Sequence, residues 1–290
     1  RPDVVCFSCY IWNITYVKEL LIELKKVLPF VKLWLGGPEV SYNSVQFLEK
    51  YPQADGIIKG EGEETFLNLL KALHGEMDVH AVTGITYRDQ GIRENPWRNP
   101  MDLNRIPFVY TREVLNDCAH KIIYYESSRG CPFSCSYCLS SIDKCLRFRD
   151  IERVKQELQF FIDKKVPQVK FVDRTFNVRH DHAVAIWKYL LEHDNGITNF
   201  HFEIAADLLR EEELELIGKM RPGLIQLEIG IQSTNEKTLA EILRTMQFSC
   251  VAKAVRQVQE KKNIHQHLDL IAGLPYEDMQ SFRKSFCDVY

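Results

Sequence analysis

Three absences narrow the function of this sequence before any motif is read. There is no long basic run and no positive excess: 37 Lys plus Arg stand against 40 Asp plus Glu, a net of -3. Nucleic-acid binding, which rests on neutralising phosphates, therefore has no electrostatic support. No stretch approaches the roughly eighteen apolar residues of a membrane span, and no charged-then-apolar signal segment follows Arg1. A membrane partner is not expected. Histidine is sparse, nine in 290 residues, and shows no metal spacing; His180 and His182 lie two apart near a helix start and do not share a face. An initiating methionine is missing as well, and Arg1-Pro2 runs straight into the apolar Val4 to Phe7, so the sequence is expected to begin inside a domain.

What is present is dominated by one stretch, Ser127 to Cys138, which carries three of the nine cysteines within eight residues. Cys131, Cys135 and Cys138 form C-x3-C-x2-C, a spacing that lets a short loop fold three thiolates around one iron-sulfur centre. A four-iron cluster held by three cysteines keeps one iron open for a substrate or cofactor. A structural zinc would need a fourth ligand, Cys145 or Cys118, and a chance group of buried thiols is the third reading. The odd cysteine count and the reducing nature of such a centre point to the cytoplasm, without disulfides. Cys6, Cys9, Cys118, Cys145, Cys250 and Cys287 read as small buried hydrophobes.

With 45% apolar residues the chain can build sizeable cores, and its length suits about two domains. Residues 1–100 alternate strand and helix in the manner of a doubly wound parallel sheet, closed by a hairpin around Asp89-Gln-Gly91. Ligands in such sheets sit beyond the strand carboxyl ends, here Ser8 to Trp12, Gly36-Gly37-Pro38-Glu39 and Gly60-Glu61-Gly62-Glu63. The same glycines also read as ordinary turns before helices capped by acids. Pro96, Pro100 and Pro107 mark a connector, so the boundary is placed near residue 100 with a linker over 101–120. From Lys121 to residue 290 a second series of strands and helices predicts a barrel-like parallel sheet with chemistry at its strand carboxyl ends, and the cysteine loop leaves the first strand at that end. Strand alternation turns His201, Glu203 and Ala205 inward, groups Glu228 with Gly230 and Gln232, and groups His265, His267 and Asp269. Each acid is a core ion-pair partner or a ligand contact. Asp173 reads equally as a helix N-terminal acid or a ligand group.

At C-x3-C-x2-C, with the aromatic Tyr137 before the last cysteine, the sequence resembles the radical S-adenosylmethionine superfamily. That resemblance implies a 4Fe-4S cluster on Cys131, Cys135 and Cys138, whose open iron chelates S-adenosylmethionine and whose electron yields a 5'-deoxyadenosyl radical. It also implies a six-stranded partial barrel, of which about five strands are present, so truncation at both ends is expected. Glu203, Gln232, Arg244, Asp269 and Gly273 match positions that contact S-adenosylmethionine in the oxygen-independent coproporphyrinogen oxidase type of site. Asp173 or Arg174 would replace the glycine-rich motif that many members carry there.

Phe7-Ser-Cys-Tyr, Leu35-Gly-Gly-Pro-Glu and Gly60-Glu-Gly-Glu are similar to the partial Rossmann-like domain of the cobalamin-binding subclass, and imply a corrin lined by Ser8, Gly36, Gly37, Gly60 and Glu61. The D-x-H-x-x-G motif for a lower axial histidine does not occur, so cobalamin is expected of the full-length protein rather than of this stretch alone. The run Tyr124 to Phe133 resembles a bacterial subgroup with an uncharacterised C-terminal domain. For the subclass, the resemblance implies a methyltransferase acting on an unactivated carbon of a small molecule, supplied with electrons by flavodoxin or ferredoxin. The alternatives are radical rearrangement or cyclisation without methylation, and a zinc-stabilised binding module without turnover.

Overall fold

The computed structural model describes residues 1–118 and 121–290, in two compact units, Arg1–Met101 and Asp102–Tyr290. The end of the predicted 101–120 linker, Ala119 and His120, lies outside the described residues.

In the first unit, β1 (Val4–Ser8), α1 (Ile14–Val27), β2 (Lys32–Gly36), α2 (Pro38–Ser41), α3 (Ser44–Lys50), β3 (Gly56–Ile58), α4 (Glu63–Leu73), β4 (Ile85–Arg88) and β5 (Ile92–Glu94) follow in order. The first three strands pair in parallel; the β4–β5 hairpin adds to the same sheet antiparallel, in the order β1-β2-β3-β4-β5. Alternation along β2 explains the two-sided core. Leu33 and Leu35 join Val17, Leu21 and Leu48 on one face, while Trp34 joins Leu69, Ile85 and Tyr87 on the other.

The second unit begins with Phe108 and Tyr110 packed edge-on against Phe161. Its elements are α5 (Arg112–Asp117), β6 (Ile123–Tyr125), β7 (Ser128–Arg129), β8 (Arg147–Phe148), α6 (Ile151–Asp163), β9 (Gln168–Phe171), α7 (His180–Glu192), β10 (Asn199–Ile204), α8 (Glu211–Gly218), β11 (Ile225–Gln232), α9 (Glu236–Glu241), α10 (Phe248–Glu260), β12 (His265–Leu270) and α11 (Met279–Val289). Five strands, β6, β9, β10, β11 and β12, lie side by side in sequence order, all parallel. A sheet wound in one direction with a helix after each strand is the barrel arrangement, not the doubly wound one. Phe171, Phe202 and Trp187 pack with Leu158, Ile186, Leu227 and Val258 on the helix side. The opposite parity, Lys170, His201, Glu203, Glu228 and Asp269, is thereby left to the polar interior.

The remaining cysteines depart from expectation. Cys9 is buried, but Cys6, Cys145, Cys250 and Cys287 are exposed and Cys118 is half-exposed. The reason for Cys6 is topological: β1 is an edge strand of its sheet. No helix among the described residues is long and apolar enough to cross a membrane.

Candidate functional site

The cysteine loop is shaped by backbone pairing. Strands β7 and β8 match Ser128 with Phe148 and Arg129 with Arg147, which closes the loop's base. Cys131 N donates to the Asp143 carbonyl at 2.9 Å, Cys138 N to the Cys135 carbonyl at 3.1 Å, and Ser136 N to the Ile242 carbonyl at 2.9 Å. Gly130, at φ +97°, lies against the Cys145 carbonyl so closely that a Cβ would collide with it.

Cys131, Cys135 and Cys138 line one cleft of about 220 Å³ with Tyr137, Arg174, Thr175, Glu203, Glu228, Gly230, Gln232, Arg244 and Asp269. The sheet supplies most of that wall because inward positions of β10, β11 and β12 lie abreast: Glu203 pairs in register with Glu228, and Gly230 with Asp269. A bulge between Gly230 and Gln232, where Gln232 takes φ +70°, turns the Gln232 side chain back over Gly230. Arg244 Nη2 donates to the Gly230 carbonyl, and Nη1 lies 3.7 Å from Cys135 Sγ. Burial beside the thiols pushes the Tyr137 phenol up to about 12. Burial, with Glu228 nearby, raises both Glu203 and Asp269.

The donor set fits a three-cysteine cluster better than zinc. Neither Cys145 nor Cys118 lines the cleft, and Cys118 lines a different cavity with Arg112 and Lys165. Two buried atoms of the cleft, Gln232 Oε1 and Arg244 Nε, have no hydrogen-bond partner. Buried polar atoms are ordinarily satisfied, and an acceptor and a donor on one wall suit a ligand with ribose hydroxyls, an amino group and a carboxylate.

Two expected contacts fall elsewhere. Asp173 is fully buried outside the cleft and caps no helix; its carboxylate accepts from Ser127 N and Oγ at 2.8 and 2.5 Å and from Ser128 Oγ at 2.7 Å. Gly273 follows β12 at φ +85° with no atom within 4 Å of its Cβ direction, and does not line the cleft. Arg174 does line it, as does Thr175, whose hydroxyl lies 4.0 Å from Cys131 Sγ. Thr175 is not singled out by the sequence pattern; Lys170, outside the cleft lining, is a cation at inward parity in Gln-Val-Lys-Phe.

In the first unit, Ser8 and Gly36 are register partners at the carboxyl ends of β1 and β2, beside Ile58 of β3, so the three predicted loops leave one sheet edge. Gly37 accepts through its carbonyl from Ser41 Oγ at 2.8 Å, Ser41 Oγ also accepts from Gly60 N at 3.3 Å, and Glu61 accepts from Met101 N at 2.9 Å. Exposed aromatics flank these loops: Tyr10 stacks on Trp12 at 4.5 Å and Tyr42 on Trp97 at 5.6 Å. Flat apolar faces beside glycine loops fit a planar macrocycle.

Compared with known families, residues 125–286 match the Radical SAM superfamily and residues 1–70 the B12 binding domain. The chain belongs to the radical SAM superfamily. Within it the chain falls in the cobalamin-binding subclass, whose cofactors are a 4Fe-4S cluster, S-adenosylmethionine and cobalamin. It is 27% identical to the cobalamin-dependent radical SAM methyltransferase TokK of Streptomyces tokunonensis, over 98% of this chain and 44% of that protein. It is 28% identical to the 2-(S-pantetheinyl)-carbapenam-3-carboxylate methyltransferase of Streptantibioticus cattleyicolor, over 97% and 44%. The chain therefore spans less than half the length of these relatives. The fold is shared with the cobalamin-dependent S-adenosylmethionine radical enzyme OxsB, solved with aqua-cobalamin and S-adenosylmethionine bound, at a TM-score of 0.79 and 20% identity, over 99% of this chain and 43% of that one.

Proposed function

We propose that this chain is the cofactor-binding part of a cobalamin-dependent radical SAM methyltransferase acting on an unactivated carbon of a small molecule. The observation that carries the reading is the single cleft holding Cys131, Cys135 and Cys138 opposite Glu203, Gln232, Arg244 and Asp269. When bound there, the cluster supplies the electron that releases a 5'-deoxyadenosyl radical, and methylcobalamin supplies the methyl group. The chain's own residues hold and exclude. The three thiols hold the cluster, Glu203 accepts from the ribose hydroxyls, and Gln232 Oε1 and Arg244 Nε meet the adenosyl or methionyl polar groups. Ser8, Gly36, Gly37, Gly60 and Glu61 line the corrin. A flavodoxin- or ferredoxin-type reductant and a cytoplasmic setting complete the proposal.

Cyclisation without methylation is the second reading, because an anaerobic magnesium-protoporphyrin IX monomethyl ester cyclase of Rubrivivax gelatinosus is 25% identical over 99% of this chain. A transferred methyl in the product separates the two.

The deciding experiment is anaerobic reconstitution with iron and sulfide, reduction, and electron paramagnetic resonance before and after S-adenosylmethionine. A cluster signal that shifts on addition is the expected outcome. A silent spectrum with stoichiometric zinc would sink the enzyme reading.

A further inference from the structure

Lys170, at inward parity on β9, pairs with two acids of the cleft and has no role in the reading above. Glu203 and Glu228 are direct neighbours across β10 and β11, on the same inward face. Two carboxylates opposite one another on adjacent strands repel. Lys170 of β9, in register with His201, lies below both. Its Nζ is 2.9 Å from Glu228 Oε2 and 3.6 Å from Glu203 Oε1.

The two acids are not treated alike. Glu228 Oε2 also lies 2.9 Å from His201 Nε2, and the Gln226 amide fixes the other ring nitrogen at 2.9 Å. Among the described residues Glu203 has the longer Lys170 contact alone, so its oxygens keep the capacity to accept elsewhere. We propose that Lys170 is a positioning residue: it binds Glu228 as its committed counter-ion and thereby keeps Glu203 an ionised acceptor for the vicinal hydroxyls of the adenosyl ribose. The inference rests on the functional reading above and divides the labour between two acids that the strand pattern alone leaves equivalent. A protonated Glu203 would spend one oxygen as a donor and no longer match a diol that donates twice.

Lys170 pulls both carboxyls down, with unequal outcomes. At Glu228 burial is outweighed by Lys170 and His201, and its carboxyl is lowered; at Glu203 burial and the Glu228 charge together prevail over Lys170 and Arg174, and its carboxyl is raised. Lys170 is raised, burial being outweighed by the two acids. The charged groups around Glu203 are thus Lys170 and Arg174 from β9 and its following loop, Glu228 from β11, and Asp269 of β12 lining the same cleft.

The test compares wild type, Lys170→Met and the double variant Lys170→Met/Glu228→Gln in reconstituted protein, with iron content measured in parallel. Equilibrium dialysis with S-adenosylmethionine near pH 7 should show Lys170→Met binding about tenfold or more weakly, and the double variant recovering to within about threefold of wild type, because removing the like charge removes the need for the cation. A loss that Glu228→Gln does not recover marks Lys170 as mere packing and overturns the proposal. Carbon-13 titration of the Glu203 carboxyl without S-adenosylmethionine should show its midpoint moving up in Lys170→Met and back down in the double variant. An unmoved midpoint overturns it equally. If wild type itself fails to bind S-adenosylmethionine, the functional reading fails, while the carboxyl midpoints still judge the charge coupling.

Discussion

Beneath the cysteine loop, Asp173 and His182 meet on the Ser127 hydroxyl, 2.5 Å from Asp173 Oδ2 and 3.1 Å from His182 Nε2. Burial pushes Asp173 up to about 6, against the pull of Ser127 and Ser128, and pushes His182 down to about 4, helped by Arg179. The two shifts act oppositely on stability. Folded Asp173 keeps its proton above the usual 3.8, so its contribution falls as pH rises from about 4 to 6; folded His182 refuses a proton below the usual 6.5, so its contribution falls as pH drops from 6.5 to about 4. Relative to wild type, Asp173→Asn should gain about 3 kcal/mol in urea unfolding between pH 4 and 6, and His182→Gln should lose a similar amount across that range. Parallel slopes for the two variants would refute the assignment. None of this was legible in sequence, because Ser127 and Asp173 lie 46 residues apart and meet only through the pairing of β6 with β9.

At the scale of elements, strands and helices were readable from periodicity, and so was the facing of residues within a strand. Phe200, Phe202 and Ile204 do pack in the core while Glu203 lines the cleft. What alternation cannot supply is which strand lies next to which at what register. Lys170 is therefore not singled out by the sequence pattern, although register sets it under two acids. The β7–β8 pair escaped notice for a related reason: two-residue strands have no periodicity, and their partners are separated by the whole cysteine loop. That ribbon carries its own expectation. In Gly130→Ala the added methyl meets the Cys145 carbonyl while the backbone holds φ +97°, so the loop must open. Reconstituted iron should fall by more than half with far-ultraviolet circular dichroism unchanged, since β6 and β9 to β12 do not depend on the ribbon. Full iron retention in that variant would show that the loop closes without the close approach.

For the whole molecule, the two sets of proposed cofactor residues fall in separate compact units: Ser8 to Glu61 within Arg1–Met101, and Cys131 to Asp269 within Asp102–Tyr290. Each unit has its own sheet and its own core. A local change in one is therefore expected to leave cofactor retention by the other intact. Gly60→Val is the sharp case. Gly60 sits at φ +68°, a Cβ there would stand 3.4 Å from the Trp97 ring, and a β-branched residue strongly disfavours that backbone. Cobalamin retained after gel filtration, read from its visible absorbance, should drop several-fold, while iron per chain and the S-adenosylmethionine-dependent resonance shift stay at wild-type values. Loss of iron together with cobalamin would overturn that expectation.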